Sequence, residues 1–341
     1  NELSIFVVYR DKLVWNSTLN AWVAVSELAK GKKKSSKNLL KAGVLVGSMV
    51  FAVNAQAAPG EGAYSIKEGA GSASAGESSV ALGNASNAAG NASIALGNHT
   101  IAEKQHSIAI GGNASSTGGE SIALGGGSAA TAESSISMGS NSLASGGLSV
   151  AIGGAASSSA EFSTAIGTQT VASIYAATAV GSKASATGEY GSAFGSLANA
   201  IGSNSLAAGL QATALGNNSV ALGRQSAAEG GSSVALGDSS KAKTTVATAL
   251  GAYSNASGVY STAVGANSIA LAMNDTALGA QSQASGGTSV AVGSAAKATA
   301  LRALAVGPSA NASGIRSVAV GSTAKSIGEA STALGSAANA A

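Results

Sequence analysis

Side chains that could carry acid–base, nucleophilic or metal chemistry are few and dispersed. Beyond residue 57 the chain has twelve Asp/Glu and ten Lys/Arg. The acids fall singly, and no two share a spacing suited to a general acid and base acting on one substrate. His99 and His106 stand seven residues apart, on successive corners, with only Glu103 between them, and such a pair is more often surface than a metal-ligand set. Gly125-Gly126-Gly127 could approach a phosphate, but no G-x-x-x-x-G-K-[ST] loop surrounds it, and no G-x-S-x-G elbow occurs anywhere. With no cysteine there is neither a disulfide framework nor a thiolate site. The sequence therefore reads as non-enzymatic, with no catalytic residue, metal or cofactor and no small-molecule substrate. Recognition chemistry remains. His106, Glu120, Phe162, Tyr190, Tyr260, Arg302 and Arg316 recur at one phase of the chain, with Tyr175 and Tyr253 nearby. Aromatic and Arg side chains dominate binding hot spots. The bland alternative is that these are loop corners tolerant of any residue.

The phase is set by a repeat. Ser93-Ile94-Ala95-Leu96-Gly97 returns as Ser107-Ile108-Ala109-Ile110-Gly111 and onward to Ser331-Thr332-Ala333-Leu334-Gly335. Every fourteenth position from Gly69 to Gly335 is glycine, without an insertion, which is the signature of a solenoid. Before each closing glycine, a β-branched residue, an alanine and a large apolar residue alternate as in a strand. After it the scheme repeats with small residues at the third and fifth positions (Ser86 and Ala88, Ala184 and Ala186) and mostly polar residues between them. Each turn is expected to hold two half-turns of a five-residue strand and a two-residue corner. Pro308 falls at a corner, outside any strand.

If the half-turns are equivalent, their small residues meet in a narrow interior and the intervening residues point outward. The second half then faces water. The first half presents a continuous apolar stripe about 90 Å long at ~4.8 Å per turn. A stripe of that size must be covered, and self-association with rotational symmetry covers it economically. The interface expected on this basis includes Ile94, Leu96, Ile108, Ile110, Val234, Leu236, Leu250, Val290 and Val292. The opposite arrangement, with the Ile/Leu pairs inside and the alanines at the interface, stays open at this point. Lys67 and Glu68 replace Ala and Leu in the first turn and give the coil a polar end.

Residues 1–57 differ in kind. They carry eight Lys/Arg against three acids, so the basic balance of the chain belongs to this segment. The repeat region has no basic cluster suited to nucleic acid. Six lysines between Lys30 and Lys41, an apolar run from Ala42 to Val53 and Ala55-Gln56-Ala57 form the three parts of a secretory signal peptide, helical in its apolar run, with cleavage between Ala57 and Ala58. The run is too short to span a bilayer.

Two stretches resemble known families. Val14-Trp15-Asn16 with Asn20-Ala21-Trp22-Val23-Ala24-Val25 and the following Glu27 to Lys32 is similar to the extended signal-peptide region of type V secretion proteins of Gram-negative bacteria. The Ser-(Ile/Val)-Ala-(Leu/Ile/Val)-Gly repeat resembles the head of YadA-like trimeric autotransporter adhesins. That resemblance implies an all-β head, a left-handed parallel β-roll of about twenty turns over residues 65–341, after a signal peptide at 1–57 and a junction at 58–64. It also implies a homotrimer, secretion through the inner membrane to the outer membrane and cell surface, attachment to host extracellular-matrix proteins or cell-surface receptors, and self-aggregation. Family members continue into a neck, a stalk and a membrane anchor; none is present in this sequence, which reads as an N-terminal segment of a longer protein. Other readings are a surface spacer without a ligand, a polysaccharide-acting solenoid or an ice-binding one. The last two lack, respectively, clustered carboxylates and solvent-facing Thr-x-Thr ranks.

Overall fold

The computed structural model describes residues 12–16, 21–25 and 62–341. In the leader, strands Lys12–Asn16 and Ala21–Val25 pair antiparallel with Trp15 opposite Trp22. The described part of the leader is thus a hairpin, and the helix expected in the apolar run lies outside the described residues. β-Branched and aromatic residues on both strands favour that pairing. The apolar run at 42–53 and the cleavage site at Ala57 and Ala58 lie outside the described residues.

Residues 62–341 form a parallel β-solenoid with a 14-residue rung. Each rung contributes one strand to each of two sheets: twenty strands from Ile66–Glu68 to Thr332–Leu334 in the first, and twenty from Ala73–Ser74 to Asn339–Ala340 in the second. Every strand pairs in register with the strands one rung before and one rung after, as Ile94 with Ile108 and Leu96 with Ile110, or Lys241 with Asn255. The strands are three and two residues long rather than two equal fives. The half-turns are therefore inequivalent, and the corners show why. At the first corner the closing glycine takes φ between +115° and +136°, a region closed to other residues. At the second corner, seven residues later, backbone angles are ordinary, and Lys104, Ala132, Thr244 and others stand there in place of glycine.

The interior settles the orientation left open by the pattern. Alanines of both strands are fully buried, among them Ala95, Ala109, Ala207 and Ala242, and the largest fully buried side chains are Thr100, Thr170 and Asp275. Facing side chains that end at Cβ or Oγ let the two sheets approach more closely than the ~10 Å usual for stacked sheets. In some rungs the serine that opens the motif also has a structural task. Ser79 and Ser121 donate their hydroxyls to the carbonyls of Gly76 and Gly118, 2.7 and 2.8 Å away, clamping the second corner. Ser86 and Ser128 clamp the first corner through Gly83 and Gly125. The β-branched and large apolar residues of the first sheet point outward, half-buried by their own neighbours or exposed, as with Leu250 at 37% and Phe194 at 43%.

Candidate functional site: the corner edges of the solenoid

Each rung has two further residues in the left-handed region, two and nine residues after the closing glycine. His99 and His106 (φ +53° and +56°) belong to the two successive corners. A left-handed L-residue costs roughly 1–2 kcal/mol. Here the backbone N–H is satisfied by the preceding rung, His99 N donating to Asn84 O and His106 N to Asn91 O at 2.8 and 2.9 Å. The ladder thus imposes the conformation whatever residue is present. The side chains it turns outward form two parallel edges, one along each corner.

All six of the candidate binding residues lie on the second-corner edge. His106, Phe162, Tyr190, Tyr260, Arg302 and Arg316 have φ between +54° and +58° and are exposed. They are not one cluster. Phe162 and Tyr190 are two rungs apart and are joined by Tyr175, whose ring meets each edge-on with centroids 5.6 Å away and planes at 86° and 83°. Tyr175 sits one residue earlier in its rung, and Ala176 follows it at the corner itself. The result is an exposed three-ring ladder on consecutive rungs, with Glu161 and Glu189 preceding its outer members in sequence. Such contacts add about 0.5–1.5 kcal/mol each and hold the rings upright. Arg302 and Arg316 are on adjacent rungs, each preceded by an exposed aliphatic residue, Leu301 and Ile315. His106 stands four rungs from Phe162, and Tyr260 five rungs from Tyr190, so the structure leaves both apart, ~19 and ~24 Å along the axis at ~4.8 Å per rung.

Tyr253 is corrected in place. It lies on the first-corner edge (φ +58°), not on the edge of Tyr190 and Tyr260. Its surroundings are polar: two rungs before it Arg224 donates to Asp238 Oδ2 at 2.8 Å. The hydrogen bond and charge of Asp238 hold the Arg224 guanidinium above its ordinary pKa, with a smaller contribution from Tyr253. Gln225 continues the edge by donating to Gln211 Oε1 at 3.0 Å.

One feature escaped the pattern. Asp275 occupies a serine position and is fully buried. Its Oδ1 accepts from Gly287 N, Ser289 N and Ser289 Oγ at 2.9, 2.9 and 2.8 Å, and its Oδ2 accepts from Ala272 N at 2.8 Å. The carboxylate takes over the clamp of its own corner and of the next, where Gly287 (φ +85°) supplies the needed freedom. A buried carboxylate needs such donors, and the deviation from serine was the only signal of it in the sequence.

A continuous in-register ladder of 14-residue rungs with left-handed corner residues along two edges defines a class: a repeat-built β-solenoid head. The comparisons with known proteins agree with this. Residues 12–55 match the family described as the extended signal peptide of the type V secretion system. Twelve overlapping segments between residues 74 and 324 match the YadA head domain repeat. Those segments cover well over half of the chain, which belongs to the YadA-like trimeric autotransporter adhesins. Over 39 residues, 11% of this chain, it is 59% identical to the trimeric autotransporter adhesin AtaA of Acinetobacter sp. (strain Tol 5), and that match spans 1% of the Acinetobacter protein. The collagen-binding domain of the Yersinia adhesin YadA is 32% identical, with 43% of this chain and 66% of that one covered and a TM-score of 0.28. The leader and head repeats of this chain are those of proteins exported by type V secretion to the Gram-negative outer membrane and cell surface, and the chain spans only part of the length of these relatives.

Proposed function

We propose that residues 65–341 form the head of a homotrimer that attaches the cell to host extracellular-matrix proteins or cell-surface receptors, and to other copies of itself. The observation that carries the assembly is the outward apolar face of the first sheet, from Val80 and Leu82 to Val318 and Val320. Fully burying a Leu, Ile or Val side chain contributes ~1.5–3 kcal/mol, so finishing the burial of one that is a third exposed adds ~0.5–1 kcal/mol. Two such residues from each of three chains give ~3–6 kcal/mol per rung, and a few rungs exceed the ~4–15 kcal/mol cost of association. Repetition along the head supplies avidity from individually weak contacts.

Sedimentation of the exported protein tests the assembly: a trimer is expected, and a stable monomer refutes it. Leu236→Asp with Leu250→Asp removes two rungs from the interface and places three carboxylates at each level, costing several kcal/mol per ion. The assembly is expected to open or dissociate, and a trimer of unchanged stability removes these residues from the interface. The collagen binding named for the Yersinia domain makes collagen the first ligand to try. Charge changes at Tyr190, Tyr260 and Arg302 are expected to weaken ligand binding with assembly intact; undiminished binding means the edge is not the site, and no binding by the unaltered head is what a spacer would give.

A further inference from the structure

The first-corner edge carries a second, chemically different site. A groove of about 470 Å³ opens across the rungs closed by Gly251, Gly265 and Gly279, on the second sheet and its adjoining corner. Its floor is a column of three paired residues, Lys241, Asn255 and Ile269. Lys243 stands two residues beyond Lys241, and the fully buried Ala242 between them places both ammonium groups on the outer face. The wall is the left-handed corner column Ser239, Tyr253 and Asn267 (φ +55°, +58° and +56°). Tyr253 is 54% exposed.

Two features show that the lysines are free to act on a ligand. Among the described residues neither forms an ion pair, and the nearest corner acid, Asp238, is already held by Arg224. Glu229 lies one rung before Lys243 in the same column and is more than 4 Å from its ammonium. Two adjacent ammoniums on one strand repel each other unless an anion lies between them. The surroundings reinforce this. Residues 223–341 carry seven Lys/Arg against four Asp/Glu, whereas residues 58–222 carry three against eight. The groove thus sits in the positive part of a head whose other part is negative.

We infer that this groove binds an acidic saccharide, one bearing sulfate or carboxylate groups. Lys241 and Lys243 take the anionic group, the Tyr253 ring offers an exposed flat surface to a sugar face, and the amides of Asn255 and Asn267 with the Ser239 hydroxyl meet ring hydroxyls. The groove is open, and every lining residue but Ile269 carries a polar group, which suits a segment of a polymer better than a protein anchor, because protein hot spots need a desolvated pocket. It lies on the sheet opposite the apolar face, so the site stays accessible in the proposed trimer and does not depend on the second-corner edge.

The test is calorimetric titration of the exported protein with a sulfated, uronate-containing octasaccharide and with its desulfated, carboxyl-reduced counterpart. Binding of the sulfated form alone is expected. Lys241→Gln with Lys243→Gln should weaken it at least tenfold and flatten its dependence on salt, as loss of two charge contacts requires. Tyr253→Ala should weaken it several-fold, and Tyr253→Phe should retain most of it. These side chains are exposed, so circular dichroism should be unchanged. Equal binding of the neutral sugar, indifference to the lysine pair, or indifference to Tyr253→Ala overturns the inference. So does displacement by inorganic sulfate at the same molar concentration, or equal binding of an oligoglutamate of the same charge. Changes at Tyr190, Tyr260 and Arg302 should leave this titration untouched, which separates failure here from failure of the adhesive edge.

Discussion

Replacing Gly209 by alanine and, separately, Gly216 by alanine sets two explanations of the fold against each other. A Cβ on Gly209 would lie 2.5 Å from the carbonyl oxygen of Gly223, and one on Gly216 would lie 1.9 Å from that of Gly230. If static contact governed, Gly216→Ala would be the worse change. Backbone conformation reverses that order. Gly209 has φ +133°, a region that costs an L-residue ~1–3 kcal/mol. Relieving its contact means loosening the pairing with the next rung, at ~0.5–1.5 kcal/mol for each of about two hydrogen bonds, for a total of ~2–6 kcal/mol. Gly216 has an ordinary φ, and seven other rungs carry a side chain at its position, including Ile174 and Thr244, so the corner can move to admit one. Alanine there also gains ~0.4–1 kcal/mol through the unfolded chain, which brings the net change within ~1 kcal/mol of zero. Urea unfolding gives the overall cost. Amide hydrogen exchange gives its place, because in a solenoid the damage is confined to neighbouring rungs. Fast exchange centred on rungs 209 and 223 is expected for the first variant and none for the second. If Gly216→Ala costs as much as Gly209→Ala, the conformational account of the glycine column is wrong.

Three other changes are open to the same measurements. Val246→Gly should raise stability by ~1 kcal/mol, because it relieves a β-branched residue held at φ +56° whose strain exceeds the entropy cost of glycine. Ala179→Leu, at a fully buried interior position, should cost ~3 kcal/mol or more from overpacking, while Val180→Leu on the outer face should be nearly neutral. Asp275→Asn turns an amide N–H₂ toward backbone donors and should cost ~2–3 kcal/mol, whereas Asp275→Ser restores the ordinary clamp and should cost less; the reverse order would mean that the four hydrogen bonds are not what holds this corner.

The rung was legible because its chemistry repeats with its geometry. The glycine column marks the one backbone angle no other residue takes, and the Ala column marks an interior too narrow for anything larger. The outward turn of Ile94 and Leu96 was expected only from supposing the half-turns equivalent, and the buried alanines of both strands decide it. The corners were less legible. The two left-handed positions are seven residues apart and follow similar small-residue runs, so Tyr253 was placed with Tyr190 although they lie on different edges. Tyr175 was seen as a neighbour but not as the ring joining Phe162 to Tyr190, because contact across rungs depends on side-chain reach as well as phase. The lysine groove was invisible for a related reason: Lys241, Tyr253 and Asn267 are separated by rungs that only the in-register pairing brings side by side. In the leader, the positional signal for a signal peptide said nothing of the hairpin at Lys12–Val25.

Because each strand bonds only to its counterparts fourteen residues away, the head behaves as a ruler graduated in steps of ~4.8 Å. Removing residues 223–236 would let Gly209 stack on Gly237 and the ladder close again, one graduation shorter and otherwise alike. Removing seven residues would bring a first corner against a second, removing ten would bring a corner against a strand, and either would break the column. Reach is therefore a quantity this architecture can change in whole units at little structural risk, while the edges decide, rung by rung, what is presented at each mark.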